Sequence, residues 1–225
     1  MGLVVVTPPS EAEILGVLSV AELKLNMRVT HSVEDNVFKD AILAAYDWLA
    51  GPEVGWLNRT LLTTTYKLTL PGFVKEETYS NSTIGGPATR LVPTSVVEIP
   101  LPPLAAVSGV TYLLNGVATT LDPAGYVVTK SNLFGTVGLA YDSSWPSTID
   151  THPEAVEISF TAGYGNAAVV KAKYGIRQAL KLLAGDAYRN REDTYAEPRL
   201  VAVNRKIING VTRYAGRYRI ENKHA

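Results

Sequence analysis

The spacing of apolar residues changes twice along this 225-residue chain, and that double switch limits what it can fold into. Phe38, Ala41, Ile42, Ala45, Trp48 and Leu49 recur at the helical repeat of about 3.6, which gathers them on one face. From residue 60 the repeat drops to about 2: Leu62, Thr64, Tyr66, Leu68 and Leu70 alternate with Thr63, Thr65, Lys67 and Thr69, as in a half-buried strand. Over 168–191 the helical repeat returns in Ile176, Ala179, Leu180, Leu183, Ala184 and Ala187. Helix, then strands, then helix predicts an α+β fold. It has an α-helical core, made of two N-terminal helices and a long C-terminal helix, with a small antiparallel β module inserted and an extended C-terminal tail.

Local signals set the boundaries. Ser19-Val20-Ala21-Glu22 is a capping box, and the helix it opens is short, ending near Thr30. Ser32-Val33-Glu34-Asp35 opens the next helix with acids where the dipole favours them, and Gly51-Pro52 stops it. Pro71-Gly72 closes the first strand. Val97, Ile99 and Leu101 continue the alternation, as do Val110, Tyr112 and Leu114. Asn115-Gly116 then turns a hairpin, because a type I′ turn needs positive φ at both central residues. Further strands are expected around Tyr126–Thr129, Leu133–Tyr141 and Val156–Phe160. Residues 74–95 are polar and without period, and read as a long loop. The organisation expected is 1–60 helical, 61–162 antiparallel β, 163–193 a core helix and 194–225 a basic extended tail, in which Asn209-Gly210 turns a small hairpin. Gly175 and Gly185 each weaken the last helix, and Gly185 lets a neighbouring helix approach.

Charge is divided along the same line. The net charge is zero, yet residues 1–167 hold 8 Lys+Arg against 16 Asp+Glu, and residues 168–225 hold 13 against 5. Lys173, Arg177 and Lys181 form a basic stripe at i, i+4, i+8. The tail carries Arg199, Arg205, Lys206, Arg213, Tyr214, Arg217, Tyr218 and Arg219, with Tyr195 ahead of them. Arg and Tyr are favoured both for stacking on nucleic-acid bases beside phosphates and as anchors on an acidic protein surface. This end is therefore read as a docking device.

Chemistry is excluded by what the chain lacks. With no cysteine it has no disulfide framework, thiol nucleophile or thiolate zinc site. Its three histidines, His31, His152 and His224, have no ligand spacing, and no serine sits in a G-x-S-x-G elbow. Gly163-Tyr164-Gly165-Asn166-Ala167-Ala168 mimics a dinucleotide fingerprint but precedes the last helix, so it reads as a tight strand-to-helix turn. Glu76-Glu77 and Asp142 fall in loop sequence and read as solvated charge. Apolar runs fall short of the ~18 residues of a membrane span, the first residues lack the pattern of a signal peptide or myristoylation site, and the sequons Asn58-Arg59-Thr60 and Asn81-Ser82-Thr83 read as chance. No enzyme activity, cofactor, metal or membrane partner is expected.

An ordered series of segments resembles the head–tail connector proteins of tailed phages, also called adaptor or head-completion proteins. The series runs through Val5-Val6-Thr7-Pro8-Pro9, Ser19-Val20-Ala21-Glu22-Leu23-Lys24, Met27-Arg28-Val29, Asn58-Arg59-Thr60-Leu61-Leu62 and Tyr66-Lys67-Leu68-Thr69-Leu70. It continues in Ile99-Pro100-Leu101-Pro102-Pro103, Val107-Ser108-Gly109-Val110-Thr111-Tyr112, Leu121-Asp122-Pro123 and Ser144-Trp145-Pro146. Phe160-Thr161-Ala162-Gly163-Tyr164-Gly165, Ile176-Arg177-Gln178-Ala179 and Tyr188-Arg189-Asn190-Arg191-Glu192 complete it, so that it covers roughly residues 4–193. The resemblance implies a non-catalytic virion protein, assembled in the host cytoplasm and placed at the head–tail junction. It implies a homo-oligomeric ring, typically a dodecamer, with the portal protein on one side, a tail-completion or stopper protein on the other, and genomic DNA passing through the lumen without sequence recognition. Two departures stand out: the 74–95 segment and the 194–225 tail are longer than the family pattern, and on this resemblance Glu76 and Glu77 of the first are candidates to face the channel or the tail. In several connectors a C-terminal extension docks into the portal; here charge and position alone suggest that role for Arg205, Arg213, Tyr214, Arg217, Tyr218 and Arg219. The alternatives are a tail-side completion protein, or a nucleic-acid-binding module using the basic end.

Overall fold

Two capping boxes, not one, start the helical part of the chain. Ser10 and Glu13 exchange side-chain and backbone hydrogen bonds, and Ser19 and Glu22 repeat the arrangement nine residues on. The computed structural model describes residues 2–51, 55–81, 86–146, 149–190 and 199–220, with the backbone path alone for 75–81, 86–93 and 199–206. In chain order the elements are β1 (Gly2–Thr7), α1 (Glu11–Val17), α2 (Val20–Met27), α3 (Asp35–Ala50), β2 (Thr64–Leu70), β3 (Val74–Asn81), β4 (Gly86–Pro93) and β5 (Val96–Ile99). There follow β6 (Leu104–Leu114), β7 (Val117–Thr120), β8 (Tyr126–Lys130), β9 (Gly135–Leu139), β10 (Val156–Ala162), α4 (Ala167–Lys171), α5 (Tyr174–Arg189) and α6 (Arg199–Ala215). The fold is α+β, and it divides into two compact units: Met1–Val6 with Thr65–Ala162, and Thr7–Thr64 with Gly163–Ala225.

The helical unit is built on the α3 stripe. Phe38, Ile42 and Leu49 are fully buried, in one core with Leu57, Leu61, Ile176, Ala179, Leu180 and Ala184. The Phe38 and Tyr188 rings stack at 3.9 Å between α3 and α5, and the Tyr188 hydroxyl donates to the Glu34 carboxylate at 2.5 Å. The segments that leave and rejoin this unit around the inserted strands are tied together: Tyr164 N–H donates to Leu61 O (2.8 Å) and Thr63 N–H to Gly165 O (3.1 Å). Gly163 and Gly165 make the tight turn expected there, at φ of 123° and 125°.

The β unit holds a five-stranded sheet ordered β1-β2-β10-β6-β7, a three-stranded sheet β5-β9-β8 and a two-stranded ribbon β3-β4. Along β2 the alternation is complete: Thr64, Tyr66, Leu68 and Leu70 are buried and the residues between them are partly exposed. Tyr66 stacks on Phe160 of β10 at 5.3 Å, in a core with Val110, Val137, Val156 and Ile158. Asn115 and Gly116 both take positive φ, as the β6–β7 hairpin requires.

Four expectations need correction. Residues 74–95 are not a loop: β3 and β4 pair from Val74↔Pro93 to Asn81↔Gly86. Alternation is imposed when one face of a strand is buried, and a ribbon that joins no third strand carries no such demand. The helix expected over 168–191 is two, because the chain turns at Ala172-Lys173, which places Gly175 in the first turn of α5. The basic tail is not extended, since residues 199–215 are helical, and Asn209-Gly210 lies inside α6 and makes no hairpin. Ile207, Val211 and Ala215 supply the i, i+4, i+8 row that packs α6 on the core. Finally, β1 and α1 fall where no element was expected.

Helix α6 lies antiparallel on α5, and it is Gly175, not Gly185, that permits the close approach. A Cβ on Gly175 would lie 2.3 Å from Tyr214 O, whereas one on Gly185 would meet only Met27 Sδ at 3.7 Å, an ordinary contact. Gly175→Ala is therefore expected to destabilise the protein by about 1–3 kcal/mol through overpacking. Gly185→Ala should be neutral or stabilising by up to about 1 kcal/mol, because alanine favours the helix interior. Urea unfolding of the two variants checks the contrast.

Candidate docking surface

The basic end is folded onto the helical unit by its last described residues. After α6 a single 3₁₀ turn, Gly216–Tyr218, redirects the chain. Ile220 N–H then donates to Leu57 O, and the Asn58 side-chain amide donates to Ile220 O, both at 2.9 Å. This clamp holds four cations among three aromatic rings. The Arg219 guanidinium lies 4.8 Å from the Trp56 ring centre. Arg217 lies 4.8 Å from the ring of Tyr218 and donates to its hydroxyl at 2.8 Å. Lys173 Nζ sits 3.8 Å from the Tyr164 ring and 6.0 Å from that of Tyr218. Arg59 lies 5.4 Å from the Tyr164 ring centre on its guanidinium carbon and donates to the Tyr164 hydroxyl. Such contacts contribute roughly 0.5–1 kcal/mol each at exposed sites and more where water is excluded.

Exposure sorts these residues. Arg59 is buried at 4% exposure, and burial pulls its guanidinium pKa below the ordinary value while Tyr218 opposes the fall. Arg213, Tyr214, Arg217 and Arg219 are exposed, so among the described side chains after α5 the outward charge comes from the end of α6 and the turn after it. Arg199, Arg205 and Lys206 lie on α6, and Glu76 and Glu77 lie on β3 opposite Leu91 and Arg90; the side chains of these five, and Tyr195 as a whole, fall outside the described residues.

The stripe on α5 is not a free row of charge. Lys173 is spent on two rings. Arg177 reaches Glu22 at 4.0 Å and lies 5.4 Å from the Tyr174 ring, and Lys181 is half-buried further along α5. Lys171, one turn before α5, holds Glu22 at 3.0 Å. Glu22 thus closes its capping box and gathers two cations.

Sequence reasoning did not single out Trp56, Arg59 or Tyr164 as site residues. The usable signal was Arg59 itself, a lone cation between Leu57 and the Leu61-Leu62 pair, where a buried charge needs partners. Among the described residues no group of His, Asp and Glu could hold a metal ion, and no helix is long and apolar enough to cross a membrane. Asn166 caps the short α4 by accepting from Val169 N–H at 3.2 Å, and no described strand follows β10, so the dinucleotide mimic lacks its βαβ setting.

No protein-family model matches the chain, and no curated protein does. Solved structures do. The chain is similar to one in the neck of an empty GTA particle computed with C6 symmetry, at 22% identity and TM-score 0.66, over 99% of this chain and 97% of that one. It is similar to a chain in the virion of the native gene transfer agent (GTA) particle at 22% identity and TM-score 0.65, with the same coverage. In the neck of the native particle computed with C12 symmetry the identity is 21% and the TM-score 0.61. At these identities the likeness establishes the fold, including both its units.

Glu22 gives the surface a pH dependence. Burial alone would raise its pKa, but the Ser19 N–H, Lys171 and the Ser19 hydroxyl hold it below the ordinary 4.5. A carboxylate depressed in the folded state adds stability above its unfolded pKa and loses it as pH falls through the folded value. Glu22→Gln should therefore be less stable than the wild type at pH 7, with the gap closing below about pH 4.5. Thermal melts across pH 3–7 measure it.

Proposed function

We propose that this chain is a structural subunit of the neck of a tailed-phage-like particle: an adaptor whose copies form a ring between the capsid portal and the tail. The observation that carries this is the whole-length likeness to chains of GTA necks, 99% of this chain against 97% of those. That likeness spans the inserted β unit and α6, the parts a shared helical core alone would not require. Two of those necks were computed with C6 and C12 symmetry, which suits a subunit built to repeat around an axis. The segments of the sequence that resemble phage connectors point the same way.

In this reading the helical unit presents Arg213, Arg217 and Arg219 as a preformed basic face to an acidic surface of the portal. Exposed ion pairs contribute about 0.2–1 kcal/mol each. A ring multiplies them, because once one subunit is seated the next contacts form at high effective concentration. Arg217 and Arg219 are already held against Tyr218 and Trp56, so docking loses little of their side-chain entropy. The acidic remainder of the chain suits a conduit that repels phosphate, through which DNA slides without being read. No catalysis is involved.

Truncating the chain at residue 193 would strip Val211 and Ala215 from the core, so charge substitution is the cleaner test. The triple variant Arg213→Gln, Arg217→Gln, Arg219→Gln should co-sediment with portal rings of the same genome about tenfold or more less well than the wild type, with a cooperative thermal melt retained. Unchanged docking would remove the basic face from the contact. Wild-type protein that ignores portal but binds the tail-side stopper would make it a tail-completion protein. Steeply salt-dependent binding to random duplex DNA, lost in the triple variant, would make it a nucleic-acid module.

A further inference from the structure

Two apolar features of this chain lie outside the exposed arginines of the docking face and share with it only Trp56, the ring beside Arg219. The first is the tip of the β8–β9 hairpin. Leu133 and Phe134 are 67% and 51% exposed, the one consecutive pair among the described large apolar residues that stand exposed. They are held rigidly. Ser131 N–H and its hydroxyl both donate to Phe134 O, at 2.9 and 3.0 Å, and the same hydroxyl accepts from Leu133 N–H (3.2 Å) and Phe134 N–H (3.0 Å). Gly135 pins the base of the tip, since any Cβ there would lie 2.5 Å from Leu104 Cβ. With their backbone fixed by that many hydrogen bonds, two large apolar side chains form a knob that binds without the cost of ordering a loop.

The second is a shallow open groove on the helical unit, lined by Ala44, Asp47, Trp48 and Trp56. Ala44, Asp47 and Trp48 lie at i, i+3, i+4 on the exposed face of α3. Trp56 is held beside them because its N–H donates to Trp48 O at 3.0 Å, and the two indoles lie nearly parallel with centres 5.9 Å apart. An indole-walled groove fits an aliphatic–aromatic knob. The charges match as well: Lys130 is exposed at the base of the tip, donating to Ala105 O at 2.7 Å with further ammonium donors left over, and the exposed Asp47 stands in the groove.

We propose that the Leu133–Phe134 tip of one copy seats in the Trp48–Trp56 groove of a second copy, with Lys130 facing Asp47. Knob and groove are different surfaces, so the contact is heterologous, and repetition closes a ring or extends a filament. Two side chains bury far less than the ~1,200 Å² of a stable pairwise interface, so an isolated pair is weak and closure supplies the persistence. The contact deepens the ring reading above but needs only a second copy of this chain, so it can fail while portal docking holds, and the reverse.

The absence of native cysteine makes the test direct. Full-length Asn132→Cys and Ala44→Cys variants, mixed with a short bis-maleimide and read by intact mass, should give a mixed 132–44 product well above either same-variant product. Adding Leu133→Glu and Phe134→Glu to the tip variant should abolish it. Lys130→Glu on the tip should lower the yield up to about fivefold, and Asp47→Lys on the groove partner should restore it, which a purely structural effect would not do. A mixed yield no higher than the same-variant yields, or one indifferent to the tip glutamates or to the charge swap, overturns the contact.

Discussion

The approach of α6 onto α5 is the constraint on which the rest depends. With no side chain at Gly175, the α6 backbone at Tyr214 can come into contact, and Val211 and Ala215 are then drawn into the helical core. That single packing decides where the basic end of the chain points. It places the 3₁₀ turn beside Leu57 and Asn58, whose hydrogen bonds to Ile220 fix the last described residues. Arg217 and Arg219, which would otherwise repel one another in a solvated tail, are instead set on Tyr218 and Trp56, beside Arg59 and Lys173 on the Tyr164 ring. The electrostatic gain is modest for each contact; what matters is that charge is converted into a surface of fixed shape.

The helical unit can offer such a surface because its interruption by about a hundred residues of β structure is closed locally. Backbone bonds between 61–63 and 163–165 join the two crossing segments, so the helices after the insertion pack as if the chain were continuous. Glu22 does related work from the first turn of α2. It caps its own helix through Ser19 and holds Lys171 and Arg177, which spends part of the positive charge of the C-terminal half on folding. The charge division in the sequence is therefore real but overstates the exposed charge: Arg59, Lys173 and Arg177 are structural cations, while Arg213, Arg217 and Arg219 face solvent.

What the sequence revealed and what it hid follow from burial. The α3 stripe, the β2 alternation and the Asn115-Gly116 turn were legible because burial of one face, or a demand for positive φ, forces a pattern on the residues themselves. The β3–β4 ribbon escaped because a ladder with no third strand needs no alternation. Helix α6 escaped because Asn209-Gly210 and a run of arginines outweighed the sparse row Ile207, Val211, Ala215. The exposed cations of the basic end could be named in advance, as could Tyr218, the ring beside Arg217. Trp56 and Tyr164 could not, since Asn58 and Ile220 meet across 162 residues of chain and only tertiary packing brings Trp56 to Arg219 and Tyr164 to Arg59 and Lys173.

Hydrogen–deuterium exchange of the free, full-length chain tests most directly whether the basic end is a folded face before any partner arrives. Amides of residues 207–218 should be protected to a degree comparable with those of α5, and should lose that protection together with it as denaturant is added. Exchange of 207–218 at the rate of an unstructured peptide, with α5 still protected, would contradict the account and return the basic end to a tail that orders only on docking.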